Sequence, residues 1–241
     1  MHSSNNFMRS YGFPALLLCV SLLTGITNCH GQIQVSEEPR HHKVFENTWV
    51  RILDVHIPPG DTSLFHKHST PSVFFILSKT KTGSEALVEP KKLNLQNGNI
   101  WFEGFYDKPR IHRVWNSDTV EFHVIDMELL NTVAGAAGQT KTTGRPQAAA
   151  NPLDIPQVKL LFDEMPVRGY QLALQAHGSL HIPGRPTPFV IVGLSGATGD
   201  VSVNKKFFSK KGDYLFIPPG DEISIVNKSG EEESFALIEL K

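Results

Sequence analysis

Gly60 is followed by five residues and then by His66-Lys67-His68. On an extended strand, residues two apart project from the same face, so both imidazoles point to one side. Two imidazoles on one face bind a first-row metal, and a stable site then needs a third ligand from elsewhere in the chain. Thiolates do not supply it. Both cysteines, Cys19 and Cys29, lie in or at the edge of an N-terminal leader. That excludes disulfides, thiolate ligands and cysteine nucleophiles from the body of the chain and leaves His, Asp and Glu as donors. No Ser-His-Asp order stands out and no phosphate loop appears. Gly193-Leu194-Ser195-Gly196 lacks the strand-to-helix context of a nucleophile elbow.

The elements that must position these histidines read as strands. Val50 to Ile57, Val73 to Leu77, Val120 to Leu129, Phe189 to Leu194 and Phe235 to Leu240 are rich in Val, Ile and Phe, and Gly and Pro turns separate them. Helical spacing of apolar residues is hard to find, so the fold class is all-β, a sandwich or barrel. With 241 residues, 40% hydrophobic and 20% charged, the chain can build a core and divide into one or two small domains. Its formal net charge of −1 gives no pull toward nucleic acid or anionic lipid.

The chain also repeats. Met127-Glu128-Leu129 stands as far beyond Asn116 as Ile238-Glu239-Leu240 stands beyond Asn227. Gly98 through Trp101-Phe102 mirrors Gly212 through Leu215-Phe216, and Pro71 to Leu77 mirrors Pro188 to Leu194. A duplicated β-domain accounts for this. The expected organisation is a leader over 1–31, a first barrel over 44–132, an Ala-, Gly-, Thr- and Pro-rich linker over 133–157 and a second barrel over 158–241. The leader carries an apolar run from Pro14 to Ile26, shorter than the ~20 residues of a membrane span and fitting an export signal. It ends in one of two ways. Ile26-Thr27-Asn28-Cys29 resembles a lipobox, which would anchor Cys29 by lipid. The other ending is cleavage before Gln32, with Cys29 and Gly31 as the small residues. Either gives an exported protein, periplasmic or membrane-anchored.

The histidines and their glycines resemble the cupin superfamily. Its first motif is Gly, five residues, His-x-His, three or four residues, Glu. Its second is Gly, five residues, Pro-x-Gly, two residues, His, three residues, Asn. This chain has Gly60, His66 and His68 of the first, and Gly98, His112 and Asn116 of the second. The resemblance implies that His112 is the third ligand and that the fold is two tandem, jelly-roll-like cupin barrels. The second half keeps Gly212, Pro218, Gly220 and Asn227 without a gap, but Ile223 holds the histidine position. Counting from Gly178 places Gly184 and Pro186 where His-x-His would stand, and His177 and His181 are mis-spaced. Only the first barrel therefore keeps the metal residues.

Two departures bear on chemistry. Gly98 to His112 is three residues longer than the family pattern, with Glu103-Gly104-Phe105-Tyr106-Asp107 in the longer stretch. The family's Glu would fall at Ser72 or Val73, neither a carboxylate. Three neutral imidazoles leave a cation its full charge, which favours anionic substrates and acidifies bound groups. Three-His relatives such as cysteine dioxygenase and gentisate dioxygenase use Fe(II), so Fe(II) is the expected metal, with Zn, Mn, Ni or Cu as alternatives. The implied activity is an oxygenase-like oxidation of a small organic molecule. The rival readings are a non-catalytic cupin that captures a small ligand or sugar, and a metal-dependent isomerase.

Glu103, His56, His123 and Arg51 are candidates to support the ligands, and Arg51, Arg110 and Arg113 are candidates to bind a carboxylate. Trp101, Phe102, Phe105, Tyr106 and Trp115 wall the pocket or fill the core. His41 and His42 are expected to be solvated. The second barrel is expected to cover a sheet edge of the first or to form a homodimer surface.

Overall fold

Val50–Ile57 reads VRILDVHI, and both faces of this strand are put to use. Leu53, Val55 and Ile57 pack on one side, Val50 and Ile52 on the other. Alternation on a two-sided sheet of this kind sets the whole architecture. The computed structural model describes residues 32–87, 92–95, 100–105, 108–131, 133–134, 140–141, 151–196 and 199–241. The leader with Cys29, and also Gly98, Tyr106 and Asp107, lie outside the described residues. Gln32–Lys241 forms one compact unit.

The first half contains β1 (Ile33–Gln34), β2 (His41–Glu46), β3 (Val50–Ile57), β4 (His66–His68), β5 (Ser72–Ile76), β6 (Lys81–Ala86), β7 (Lys92–Leu95), β8 (Ile100–Glu103), β9 (Arg110–Asn116) and β10 (Phe122–Leu129). One sheet runs β1-β4-β9-β6-β7 and the facing one β2-β3-β10-β5-β8. A small hairpin, β11 (Val133–Ala134) with β12 (Thr140–Lys141), follows. The second half contains β13 (Val158–Asp163), β14 (Val167–Leu174), β15 (Ser179–Ile182), β16 (Phe189–Gly193), β17 (Val201–Val203), β18 (Lys206–Phe208), β19 (Tyr214–Ile217), β20 (Ile223–Asn227) and β21 (Glu233–Leu240). Its sheets run β13-β14-β21-β16-β19 and β15-β20-β17-β18. Apart from β1, the two halves have the same strand order, so the fold is two tandem jelly-roll-like cupin barrels.

The repeat extends to single hydrogen bonds. Asn116 Nδ2 donates to the carbonyls of Ile57 and Val120, at 2.9 and 2.8 Å. Asn227 Nδ2 donates to those of Leu174 and Glu231, at 3.2 and 2.8 Å. Each buried asparagine thus closes the same turn by satisfying carbonyls that would otherwise be orphaned. Arg51 pairs with Glu128 at 2.8 Å, and Arg168 with Glu239 at 2.9 Å, at matching places in the two barrels.

The barrels meet face to face. Val50, Ile52, Val73, Phe75, Ile125 and Met127 of the first pack on Val167, Val190, Val192, Ala236, Ile238 and Leu240 of the second. Each fully buried Val, Ile, Leu, Phe or Met among them contributes about 1.5–3 kcal/mol. The second barrel therefore covers a sheet face of the first, where the sequence pointed to an edge.

Candidate metal centre

His66 and His68 flank Lys67 on β4, and strand alternation turns both inward. β9 pairs antiparallel with β4 so that His112 lies directly opposite His66. Residues in such a pair share a face, and the third imidazole joins the first two. The ligand-capable nitrogens of His66, His68 and His112 lie within 4.8 Å of one another. Nε2 of His68 and Nε2 of His112 are 3.0 Å apart.

The hydrogen-bond pattern prepares the rings as ligands. His66 Nδ1 lies 2.9 Å from the Leu64 carbonyl, which only a protonated Nδ1 can use. Its Nε2 then carries the lone pair, and that atom is buried with no partner. His68 Nδ1 faces Asp126 Oδ2 at 3.5 Å, close to but outside a hydrogen bond, and neither atom has another partner. Burial pushes all three imidazoles toward the neutral, ligating form. Burial, with His41 beside it, lowers His66 to about 4. Burial, with His66 and Arg110 nearby, lowers His112 to about 2. Burial drives His68 well below its usual range. Neutral imidazole nitrogens converging at this spacing, that of His66 without a partner and those of His68 and His112 facing each other, fit a divalent cation with nitrogen bonds of ~2 Å.

Three neighbouring groups carry no motif signal. Asp126 is buried and inward-facing on β10, at a position where the second barrel has Leu237. Burial, reinforced by Glu128, raises its carboxyl well above the usual range. A carboxylate among the inward residues Phe122 and Val124 is itself a legible signal, because an acid there has to be needed. His41 overturns the expectation of a solvated ring, while His42 is exposed. The His41 ring lies 4.7 Å from that of His66, and its Nδ1 is 2.6 Å from Glu38 Oε2. Glu38 is buried and also accepts from the Leu64 N–H at 3.0 Å. Burial pushes this carboxyl up, but the bonds from His41 and the Leu64 N–H outweigh it and hold the group at about 2. Leu64 thus links Glu38 to His66 through its own amide and carbonyl.

The histidines open into a cavity of about 310 Å³ between the two sheets of the first barrel. Phe74, Trp101 and Phe105 form an aromatic wall, with Phe74 and Trp101 stacked at 5.0 Å and Phe105 stacked on His68 at 5.4 Å. Glu103 and Arg110 also line it, paired at 2.9 Å. The other sequence candidates stand elsewhere. Arg51 pairs with Glu46 and Glu128 and is not part of the lining. Arg113 pairs with Glu85, with its guanidinium over the Phe65 ring. Phe102 packs between the barrels. His56 and His123 lie on the face of β3 and β10 turned away from the cavity.

The second barrel holds no such site among the described residues. Ile182 pairs with Ile223 as His66 pairs with His112, so the register puts Ile182 and Gly184, rather than Gly184 and Pro186, at the His-x-His positions. The first barrel carries one extra residue between its turn and β4: the turn atoms that meet the two asparagines belong to Asp61 and Gly178.

No protein-family model and no curated protein matches the chain. Solved structures do match its fold. YhhW from Escherichia coli aligns with a TM-score of 0.59 at 15% identity, covering 83% of this chain and 89% of that one. AerE from Microcystis aeruginosa aligns at 0.54 and 11% identity, over 85% and 98%. A salicylate 1,2-dioxygenase from Pseudaminobacter salicylatoxidans aligns at 0.52 and 12% identity, over 80% and 71%. At these identities the likeness is one of fold alone.

Proposed function

We propose that this chain holds one divalent first-row metal on His66, His68 and His112 and carries out oxygenase-like oxidation of a small, largely apolar organic molecule. The observation that carries this reading is the convergence of three neutral imidazoles on an aromatic-walled cavity of about 310 Å³. When bound, the metal supplies Lewis-acid and oxygen-activating redox chemistry at the positions the protein leaves open. The chain does the rest. The Leu64 carbonyl orients His66, and Asp126 stands behind His68, 3.5 Å from its Nδ1. Phe74, Trp101 and Phe105 exclude water and offer ring faces to an aromatic substrate. Arg110, held by Glu103, is the cavity's cationic group and is suited to a carboxylate or phenolate substituent. The reading is supported by a fold shared with a salicylate dioxygenase, one structure of which carries gentisate adducts. Fe(II) is the metal proposed, because oxygen activation needs a redox-active cation that imidazoles suit; without a carboxylate ligand it would also keep the charge that draws in an anion.

The test is elemental analysis of protein purified without added metal, followed by oxygen uptake with a panel of small aromatic acids. Metal that is lost on His66→Ala, and oxygen uptake that depends on Fe(II) and is abolished by Zn, are the expected results. Protein that binds none of Fe(II), Zn, Mn, Ni or Cu at micromolar concentration contradicts the reading. Tight metal and ligand binding without turnover moves the chain to a ligand-capturing role.

For the leader we propose export, by signal cleavage or by a lipid on Cys29. Acyl labelling that Cys29→Ala abolishes supports the anchor, and an unprocessed chain in the cytoplasmic fraction overturns export.

A further inference from the structure

On the opposite side of the same sheet a second group of donors gathers. His56 and His123 are directly paired across β3 and β10, and Asp54 lies two residues from His56 on the same face. The two rings stack at 4.2 Å with 19° between their planes. Both aim a nitrogen at one carboxylate: Nε2 of His123 is 2.7 Å and Nε2 of His56 is 3.2 Å from Asp54 Oδ1. The other nitrogen of His56, Nδ1, is already held at 3.0 Å by Glu121 Oε2. His56 thus has a carboxylate behind one ring nitrogen and its other nitrogen turned toward Asp54 and His123, the arrangement a metal-ligating histidine adopts once the shared nitrogen gives up its proton.

The spacing suits a metal. Tetrahedral bonds of ~2.0–2.1 Å put neighbouring donor atoms roughly 3.3 Å apart. The donor atoms of Asp54, His56 and His123 all lie within 4.8 Å of one another. These three side chains keep 19–33% of their surface exposed, so an ion has an entry path and a solvent-facing fourth position. The cluster also has a wall. It sits where the apolar contact between barrels ends, and Gly212 of the second barrel approaches so closely that a Cβ there would lie 3.3 Å from His123 Cε1. The matching face of the second barrel carries Gln171, Ala173 and Ser234, which offer no such donors.

We infer that Asp54, His56 and His123 form a second metal site, of the zinc class, oriented by Glu121 and independent of the cavity histidines. It stands at the rim of the contact between the two barrels, with all of its donors on the first barrel. Imidazole and carboxylate donors with an open fourth position select Zn over Mg or Ca.

The test uses the full chain and Zn²⁺ as the probe, with bound metal counted after desalting and heat of binding measured at neutral pH. The wild type binds two Zn²⁺, the double variant His66→Ala/His112→Ala binds one, and His123→Ala binds one while keeping the cavity metal. Zn²⁺ added to the double variant raises its melting temperature, and the added substitution His56→Gln, which keeps a polar side chain, removes that rise. A double variant that binds no Zn²⁺ while folded overturns the inference. So does a His123→Ala protein that still binds two. Failure of the cavity reading shows itself separately, as metal content unchanged by His66→Ala.

Discussion

The two barrels share a strand order, a buried asparagine that closes the same turn, and an Arg–Glu pair at the same place, yet one is hollow and the other solid. In the second, Tyr170, Leu172, Ile182, Ile191, Ile223, Phe235 and Leu237 fill the interior. In the first, the places of Ile182, Ile223 and Leu237 are taken by His66, His112 and Asp126, and a cavity stands beside them. Backbone closure differs as well. Gly184, at the place of His68, lies so near the second barrel's turn that a Cβ would sit 2.0 Å from the Gly220 carbonyl. The first barrel spends three more residues on the corresponding stretch, and Phe105 within it lines the cavity. The scaffold is thus stable with either filling. The difference rests on a few inward residues, and the longer stretch of the first barrel places Phe105 on its cavity.

The sharpest break of this comparison is Gly184→His. A side chain there meets backbone, which cannot give way as a flexible side chain would, so the variant should lose the second barrel's cooperative unfolding and gain no metal. A folded variant with an additional metal would show the second mouth to be as open as the first. Next in size is removal of a ligand. His112→Ala should lower cavity metal affinity by at least a hundredfold in competition with a chelator, whereas His123→Ala should leave cavity affinity within a few-fold. Equal effects would move the third ligand off β9. Asp126→Leu, which copies the second barrel, should lower affinity by about 10–100-fold, the usual effect of removing the carboxylate behind a ligating histidine.

An effect of comparable size is expected from pH. In metal-stripped protein His66 titrates at about 4 when folded against 6.5 when unfolded, so the unfolded chain takes up the proton first as pH falls. The stability this ring contributes is complete above about 6.5 and is lost as pH falls toward 4. The loss should reach roughly 3 kcal/mol. Denaturant midpoints measured from pH 7 to pH 4 check it, and the slope should flatten in His66→Ala.

The fold class and the duplication were legible in the sequence because both rest on features that survive without contacts: β-branched runs between turns, and asparagines at a fixed distance from Glu128 and Glu239. His66 and His68 were legible through the period of a strand, and His112 through the resemblance. Apart from Asp126, the neighbours of the site were not. Whether His41 faces in or out depends on the phase of β2, which pairs with β3 through a register shift between Lys43 and Phe45. His56 and His123 sit on strands that also line the cavity, and only the register shows them on the other face. Counting from Gly178 as the match of Gly60 errs by two residues, because Gly178 matches Asp61 and the first barrel has one residue more ahead of β4, so Ile182 and Gly184 replace Gly184 and Pro186.

The most direct measurement is an anomalous difference map from crystals of the full chain grown with Zn²⁺ or Fe²⁺. A peak within ~2 Å of the inward nitrogens of His66, His68 and His112 is the predicted result. A cavity without a peak at saturating metal, or a peak bound by other side chains, would contradict it.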